Sequence, residues 1–256
     1  MAQVLDAIAH SAVRAGLRTL SSLGRRHVVI TLDCGFKLRL RTNDLLGYRL
    51  VREQQFEPSV RQAIRTIIKP GMTALDIGAN LGYYSLELSR LVGSTGTVVA
   101  FEPQITMMAE LKANLELNAV RNVITCPIAL SDEGGDRTFF VPPPGHESMG
   151  SLKNNGRTSM PLTTKVPCST LDEAVQALKI DRIDFIKMDV EGAELQVLQG
   201  ARTLLTGSKR PTVVFEAYEA NCAPFRYCVF DLLKRFDQIG YKLMQLDECD
   251  WCASPC

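Results

Sequence analysis

The stretch from Thr73 to Leu91 passes from a short apolar run, through a glycine-framed loop, into a helical pattern. The apolar run, Thr73 to Ile77, contains an acid, Asp76, and the glycines of the loop follow it directly. Strand, loop and helix in this order are typical of nucleotide-binding α/β folds, in which ligands bind beyond the carboxyl ends of parallel strands. The stretch therefore predicts a nucleotide site near the start of an α/β domain.

The residues of this loop restrict the ligand that it can hold. In the dinucleotide fingerprint G-x-G-x-x-G, the second glycine lets the backbone approach a pyrophosphate and the third permits close helix packing. The corresponding positions are Gly78, Asn80 and Tyr83, so two of them carry side chains where that motif needs none. The loop disfavours a pyrophosphate but admits a smaller ligand with polar ends. Asp76 suits an ammonium or hydroxyl group of such a ligand, and the alternative is that Asp76 caps the loop or the helix.

From Gly71 onward the sequence alternates between strand and helix patterns. Strands are predicted at residues 74–77, 98–101, 123–128, 185–188, 212–217 and 241–246. Helices are predicted between them, at residues 84–92, 105–118, 171–178, 194–205 and 225–239. This alternation predicts the α/β class, with a mostly parallel, doubly wound sheet that carries helices on both faces.

The residues before this alternation predict an accessory layer, residues 1–68, in front of a nucleotide-binding domain, residues 69–256. Apolar residues recur at helical spacing from Val4 to Leu20, and residues 27–33 and 36–41 alternate between apolar and polar. These patterns predict an N-terminal helix followed by a β-hairpin. We expect the helix to pack on its own domain or on a second copy of the chain, so a homo-oligomer is one option. A membrane-surface helix is the less favoured alternative.

Acidic side chains stand where the predicted strands end. Glu102 follows the second strand, 20 residues after the last glycine of the loop, which is where an acid binds a ribose diol. The third strand ends in Ile128-Ala129-Leu130-Ser131-Asp132, where an apolar pair followed by the polar pair Ser131 and Asp132 could sandwich an adenine and address its amino edge. The alternative is an ordinary exit from strand to turn. Asp189 ends the fourth strand and Glu216 the fifth. Both are expected at the carboxyl edge of the sheet, with Asp189 facing the crevice.

A polar insertion, residues 141–167, interrupts the alternation. It is rich in Pro, Gly, Ser, Thr and Asn and begins with Pro142-Pro143-Pro144-Gly145. A long segment of this kind in a compact α/β domain is usually functional or disordered. We favour an active-site lid or substrate loop over a plain surface excursion. The insertion carries His146, a candidate proton acceptor whose alternative is a solvated loop histidine.

Three motifs together resemble those of the FkbM family of class I methyltransferases. They are Asp76-Ile77-Gly78-Ala79-Asn80-Leu81-Gly82-Tyr83-Tyr84, Phe101-Glu102-Pro103 and Lys187-Met188-Asp189-Val190-Glu191-Gly192-Ala193-Glu194. The similarity runs from about Glu57 to Tyr241 and includes Ser169-Thr170-Leu171-Asp172. The resemblance implies a Rossmann-like fold, S-adenosylmethionine as the methyl donor, and a hydroxyl of a sugar or polyketide-like molecule as the usual acceptor.

The resemblance also implies roles for individual residues. The methionine end of the donor would be surrounded by Asp76, Gly78, Asn80 and Gly82, and Tyr83 would also be a cofactor-binding residue. Glu102 would take the ribose, and Ser131 and Asp132 would lie near the adenine. Sheets of this class usually finish with a hairpin whose last strand inserts beside the fifth. After residues 241–246 this chain offers only ten residues, so we expect the final strand to be missing, altered or swapped.

Transfer of a methyl group to an alcohol needs a group that removes the hydroxyl proton. We expect Asp189 to be this base, followed by His146 and then by Glu216. A divalent cation held by Asp189 with Glu191 or Glu216 would acidify the hydroxyl instead and is the less favoured alternative, so no metal ligands are predicted. N- or C-methylation of another small molecule, and a non-catalytic nucleotide-binding protein of the same fold, are the alternatives to an O-methyltransferase.

The charge balance and the cysteines restrict the partners and the compartment. The formal charge of +1, from 29 basic and 28 acidic residues, gives no electrostatic basis for binding nucleic acid. No apolar run approaches the roughly 18–20 residues of a transmembrane helix, and no signal-peptide pattern is evident. We therefore expect a cytoplasmic enzyme with reduced cysteines that acts on a small-molecule or glycan acceptor. Cys249, Cys252 and Cys256 indicate a loose tail in preference to a metal site.

Overall fold

Seven strands form the central sheet of the computed structural model, which describes residues 15–17, 19–24, 26–43, 45–53, 56–156 and 162–256. In spatial order they are Tyr241–Gln245 (β11), Asp250–Pro255 (β12), Thr212–Glu216 (β10), Phe185–Met188 (β9), Thr73–Ile77 (β3), Thr97–Phe101 (β4) and Val123–Cys126 (β5). The strands from β10 to β5 in this order run parallel, while β12 is antiparallel to both of its neighbours. The predicted mostly parallel sheet is confirmed.

Both faces of this sheet are buried, as is usual for parallel strands that are covered by helices. Along β3, Ala74 belongs to one apolar cluster, whereas Leu75 and Ile77 belong to another. Successive side chains of a strand point to opposite faces, so the two clusters are the cores on the two sides of the sheet. The carboxyl edge of the sheet lies between these cores.

The helices of the domain are Tyr83–Val92 (α3), Ile105–Leu117 (α4), Leu171–Ala177 (α5), Glu194–Gln199 (α6), Arg202–Thr206 (α7), Glu219–Cys222 (α8) and Val229–Gln238 (α9). Two predicted helices are wrong in extent. The helix predicted at 194–205 is interrupted at Gly200, where a Cβ would lie only 2.1 Å from the carbonyl oxygen of Ser131. The helix predicted at 225–239 starts at Val229, because a 3-10 turn precedes it and Arg226 has a left-handed φ of 63°.

The N-terminal layer shares a core with the sheet. Its elements are helical residues 15–17 and 19–22, the hairpin strands His27–Thr31 (β1) and Lys37–Arg41 (β2), and the helices Leu45–Glu53 (α1) and Pro58–Ile67 (α2). The predicted hairpin is confirmed, as is the end of the predicted N-terminal helix, whose first part lies outside the described residues. Leu38 and Ile64 are buried in the same cluster as Ala74. Within the described ranges, no helix is both long and apolar enough to span a bilayer.

A second sheet corrects two expectations. Its strands, in spatial order, are Ala129–Leu130 (β6), Leu162–Ser169 (β8) and Gly135–Val141 (β7). The strand predicted at 123–128 ends at Cys126, because Pro127 cannot donate a ladder hydrogen bond, and the chain then enters this second sheet. The insertion predicted at 141–167 ends in a strand, β8, which pairs antiparallel with β7. Buried Val166 alternates there with exposed neighbours.

The end of the chain corrects a third expectation, because the final strand of the central sheet is present. Strand β12 inserts between β10 and β11, and its residues Cys252 and Ala253 are buried. The strand is not predicted from the sequence, because the spacing of Cys249, Cys252 and Cys256 suggests a tail or a metal site instead. Within the described residues there is no group of three or more His, Cys, Asp or Glu side chains that could hold a metal ion.

Candidate active site

A cavity of about 450 Å³ opens at the carboxyl ends of β3, β4, β9 and β10. Its wall contains the loop after β3, Glu102 after β4, Asp189 after β9 and Glu216 at the end of β10. The N-terminal layer contributes Phe56 and Glu57, and residues 148–150 of the insertion also line the cavity. The glycine-framed loop and the acids at the strand ends therefore line the same cavity.

The loop after β3 is fixed by close contact with the neighbouring strands. Gly78 has a φ of 82°, and a Cβ at this position would lie 1.8 Å from the backbone oxygen of Asp189. The N–H groups of Gly78 and Ala79 both donate to the carbonyl of Phe101 at 3.0 Å. Gly82, with a φ of 93°, packs against Leu111 of α4. Because only glycine fits at its first position, the loop keeps a fixed shape that lets its backbone face the cavity.

Glu102 is a buried carboxylate that anchors the same loop. Its Oε2 accepts a hydrogen bond from the backbone N–H of Asn80 at 2.9 Å, and its Oε1 accepts one from Gln104 at 2.8 Å. Burial raises the pKa of Glu102 to about 7, although these two donors favour the charged form. A carboxylate in this position can accept hydrogen bonds from the hydroxyls of a ligand while it holds the loop.

Asp76 lies beneath the loop and does not line the described wall of the cavity. Its Oδ2 accepts a hydrogen bond from the hydroxyl of Ser85 in α3 at 2.5 Å. Burial raises the pKa of Asp76, and the ammonium of Lys187 opposes this shift. The Oδ1 atom has no hydrogen-bond partner within the described part of the chain. Asp76 thus ties β3 to α3.

Lys187 and Asp189 form an ion pair at the end of β9. They are two residues apart on a strand and therefore share a face, and Lys187 Nζ lies 3.0 Å from Asp189 Oδ2. Burial alone would lower the pKa of Lys187, but the carboxylates of Asp189, Glu57 and Asp76 raise it above its ordinary value. The ammonium also lies 4.8 Å from the ring centre of Tyr84. The pair presents a carboxylate to the cavity beside a permanently charged lysine.

Glu216 and Glu191 share one amide donor. Asn221 Nδ2 lies 2.9 Å from Glu191 Oε2 and 2.9 Å from Glu216 Oε2. Burial, together with the nearby charges of Asp189 and Glu191, raises the pKa of Glu216 well above its ordinary value. On the adjacent strand, burial and the charge of Glu57 raise the pKa of Asp250 to about 8. The raised pKa of Glu216 favours its protonated form.

Glu194 shapes the turn that carries Asp189 and Glu191. Its Oε1 accepts hydrogen bonds from the N–H groups of Val190 and Gly192, at 3.0 and 3.3 Å. The hydroxyl of Tyr227 lies 3.1 Å from its Oε2 and 2.8 Å from the carbonyl oxygen of Gly192. Burial raises the pKa of Glu194 to about 7. This network fixes the backbone of the turn that follows Asp189.

Replacing Tyr227 with Phe tests the energetic weight of this network. We expect Tyr227→Phe to lower the free energy of unfolding by about 1–3 kcal/mol, because Glu194 and Gly192 lose a buried donor. Tyr241→Phe is the matched control, since the buried hydroxyl of Tyr241 has no hydrogen-bond partner within the described residues. Denaturant unfolding of both variants measures the difference. Equal losses in the two variants would contradict the role of the network.

The structure brings six of the predicted site residues to the cavity and leaves five away from it. Those that line it are Gly78, Asn80, Tyr83, Glu102, Asp189 and Glu216. Those that do not, within the described wall, are Asp76, Gly82, Ser131, Asp132 and His146. Of the segment from Ile128 to Asp132, the apolar residues Ile128, Ala129 and Leu130 line the cavity, whereas the polar pair does not. The hydroxyl of Ser131 instead donates to Asp132 at 2.8 Å.

The cavity wall also contains Glu57, Tyr84 and Lys187, to which the sequence assigned no role. Lys187 could have been found, since a lone lysine in the apolar strand Phe185–Met188 needs a buried partner. Tyr84 lies at the start of α3, directly after the loop, and its sequence pattern does not distinguish it from an aromatic residue of the core. Glu57 offers no signal, because its place at the cavity depends on how the N-terminal layer packs.

Comparisons with known proteins agree with this arrangement. A family model described as "Methyltransferase FkbM domain" matches residues 76–243. The hexuronic acid methyltransferase AglP of Haloferax volcanii is 30% identical over 180 residues, which cover 70% of this chain and 71% of that protein. The 2-O-methyltransferase NoeI of Sinorhizobium fredii is 27% identical over 197 residues, covering 70% of this chain and 78% of that protein.

Two further comparisons bear on the fold and on the length of the chain. A putative rRNA methylase from Clostridium thermocellum superposes with a TM-score of 0.50 at 15% identity, over 79% of this chain and 100% of that chain. At this identity the likeness extends to the fold alone. The chain spans little more than half of the length of two other curated methyltransferases that it matches, 57% and 59%.

Proposed function

The chain belongs to the FkbM family of methyltransferases, and on this premise we propose that it transfers a methyl group from S-adenosylmethionine to a hydroxyl oxygen. The acceptor that we propose is a sugar, a glycan or a polyketide-like small molecule. One observation carries the proposal: a single cavity is lined by the tight loop at Gly78, by the strand-end acid Glu102 and by the crevice acid Asp189.

The residues of the cavity fit this donor. Five acidic side chains and two basic ones line its described wall: Glu57, Glu102, Asp189, Glu191 and Glu216, with Arg49 and Lys187. An excess of negative charge suits a ligand that carries a sulfonium and an ammonium group. The backbone cradle at Gly78, which a Cβ would fill, and the carboxylate of Glu102 would hold the amino-acid end and the ribose, respectively. Asn80 and Tyr83 leave less room for a pyrophosphate.

The chain's own contribution to the chemistry is positioning. Bound S-adenosylmethionine would supply a methyl group activated by a positively charged sulfur. The wall formed by the loop, the insertion and the N-terminal layer would align the acceptor oxygen with this group and exclude water. Orientation of two reactants in this way can contribute roughly 7–11 kcal/mol to lowering a barrier.

We propose Asp189 as the group that removes the hydroxyl proton. Its side chain lines the cavity and retains an oxygen that Lys187 does not engage. Glu216 lines the cavity as well. However, Asn221 donates to Glu216 Oε2, and the raised pKa of Glu216 favours the neutral carboxylic acid, which is a poor base. His146 lies away from the described wall, so it is the weakest of the three candidates.

The class of acceptor is supported by two relatives. AglP is named for a hexuronic acid and NoeI for a 2-O position, which favours a saccharide hydroxyl for this chain. The two alternatives are methylation of nitrogen or carbon and a binding protein without turnover. A screen of glycosides, alcohols and amines with isotopically labelled donor, read by mass spectrometry, separates them. Tight binding of the donor without a labelled product would favour the binding protein.

Calorimetry with two ligands tests the choice of cofactor. We expect S-adenosylmethionine to bind and NAD to give no heat above dilution, because the loop lacks the glycines that admit a pyrophosphate. S-adenosylhomocysteine should also bind, since it keeps the ribose and the amino-acid end. Binding of NAD with no response to S-adenosylmethionine would overturn the proposed function.

A further inference from the structure

Glu57 occupies an unusual place at the start of α2. It precedes Pro58 and is the N-cap residue of the helix, with a left-handed backbone of φ 46° and ψ 69°. A residue with a side chain adopts this region at a cost, and such strain tends to persist at functional sites. An N-cap side chain normally turns back onto the helix, but within the described residues Glu57 makes no such bond. Its carboxylate lines the cavity instead.

Two tyrosines hold this segment against the loop that follows β3. The hydroxyl of Tyr84 donates to Glu57 Oε2 at 2.7 Å, and the hydroxyl of Tyr83 accepts a hydrogen bond from the backbone N–H of Phe56 at 3.2 Å. Both tyrosines lie in the first turn of α3, directly after Gly82. Glu57 is therefore fixed relative to the proposed cofactor loop, although it comes from the N-terminal layer.

Charged groups of three elements and a tyrosine hydroxyl of a fourth surround Glu57. Burial raises the pKa of Glu57, and the charge of Asp189 raises it further. The charge of Lys187 and the hydrogen bond from Tyr84 lower it, but the net shift is upward. The groups that face it are Arg49 of α1, Tyr84 of α3, Lys187 and Asp189 at β9, and Asp250 of β12. Of the two cations among these groups, Arg49 and Lys187, the ammonium of Lys187 is already paired with Asp189. The hydroxyl of Tyr84 is a neutral donor to Glu57, and a hydroxyl of the acceptor would be a second donor of the same kind.

The strand order separates Glu57 from the ribose acid. Strand β3 lies in the middle of the sheet, with β4 and Glu102 on one side and β9, β10 and β12 on the other. The partners of Glu57 among the strands, Lys187, Asp189 and Asp250, all lie on the second side. If Glu102 takes the ribose, Glu57 lies in the half of the cavity that is left for the acceptor.

We propose that Glu57, held by Tyr84, accepts a hydrogen bond from a second hydroxyl of the acceptor, next to the one that is methylated. The inference rests on the proposed function and narrows it, because it selects polyhydroxylated acceptors such as saccharides with neighbouring hydroxyls. An acceptor with a single hydroxyl leaves this carboxylate unpaired in the complex. Sites built to bind a hydroxyl reject analogues that lack it far more strongly than apolar pockets do.

An enzyme–substrate cycle tests the proposal. The panel comprises methyl hexopyranosides, methyl hexopyranosiduronates and simple alcohols with one hydroxyl. The glycoside that is methylated is then compared with its analogue deoxygenated at the adjacent carbon. We expect this loss to lower kcat/KM of the unaltered enzyme by about 10- to 100-fold, the worth of a hydrogen bond to a charged group. In Glu57→Gln the loss of the same hydroxyl should lower kcat/KM by roughly threefold or less, because the neutral amide of Gln makes a weaker hydrogen bond than a carboxylate.

The remaining measurements separate this inference from its competitors. Glu57→Gln should bind S-adenosylmethionine as tightly as the unaltered enzyme, with Glu116→Gln on the exposed surface of α4 as control. A loss of cofactor affinity would assign Glu57 to the cofactor and overturn the proposal. Equal discrimination by both enzymes, or preferred methylation of simple alcohols, would also overturn it. Cofactor binding without methylation of any alcohol would instead remove the proposed O-methyl transfer itself.

A second variant covers the case in which Glu57→Gln is poorly folded. Tyr84→Phe keeps the carboxylate but removes the hydroxyl that orients it. We expect discrimination between the glycoside and its deoxy analogue to fall to a value between those of the unaltered enzyme and Glu57→Gln. Unchanged discrimination in Tyr84→Phe would contradict the positioning role that we assign to Tyr84.

Discussion

Glu102→Ala is expected to weaken the binding of S-adenosylmethionine by about 100-fold or more. Two ribose hydroxyls would each lose a bond to a charged acceptor, worth about 1.5–3 kcal/mol. The variant also leaves the N–H groups of Asn80 and Gln104 without their acceptor, which loosens the loop. Isothermal titration calorimetry measures the dissociation constant. Glu116→Ala, on the exposed surface of α4, is the control, and an affinity within threefold of the unaltered protein would remove Glu102 from the ribose site.

The pH dependence of the same affinity gives an independent check on Glu102. Burial raises its pKa to about 7, and the ribose hydroxyls bind the charged carboxylate best. Below this pKa, binding must release a proton, so the affinity should fall as the pH falls. Glu102→Gln should lose the part of this dependence that Glu102 contributes, because the amide of Gln does not titrate. Calorimetry at about pH 6 in two buffers of different ionisation enthalpy measures the protons released.

The part of the site that follows from strand ends could be predicted from the sequence. Glu102, Asp189 and Glu216 each follow an apolar run of strand length, and parallel strands bring their carboxyl ends to one edge. Local pattern is sufficient here, because it fixes both the strand and the end at which the acid stands. The backbone cradle at Gly78 can be predicted in the same way, since this glycine directly follows the strand β3.

The parts that could not be predicted depend on contacts between distant segments. Glu57 reaches the cavity because the N-terminal layer packs on α3, and no local pattern in residues 45–58 encodes that contact. The prediction that Ser131 and Asp132 lie near an adenine extends a strand through Pro127, whereas the chain turns there into a second sheet. The last strand, β12, carries only the short apolar run from Trp251 to Ala253, which is not recognisable as a strand without its neighbours β10 and β11.

Asp189→Asn is expected to lower turnover by about 100- to 10,000-fold, the range that a positioned proton acceptor contributes. Asn keeps the shape of Asp and an oxygen that can accept from Lys187, but it cannot take a proton from the acceptor. The affinity for S-adenosylmethionine should change by threefold or less (roughly 0.6 kcal/mol). Product formation by mass spectrometry and calorimetry measure the two quantities. Asp136→Asn, an exposed residue of β7, is the control.

The ion pair with Lys187 offers a second explanation for such a loss, and a double variant separates the two. Asp189→Asn leaves Lys187 with one carboxylate fewer in a buried setting, so a fall in turnover could arise from an unbalanced charge. If that were the cause, adding Lys187→Met should restore much of the rate, because both charges are then gone. A base cannot be replaced in this way. We therefore expect the double variant to stay as slow as Asp189→Asn, whereas recovery, or equal losses of binding and rate in the single variant, would remove Asp189 from the proton transfer.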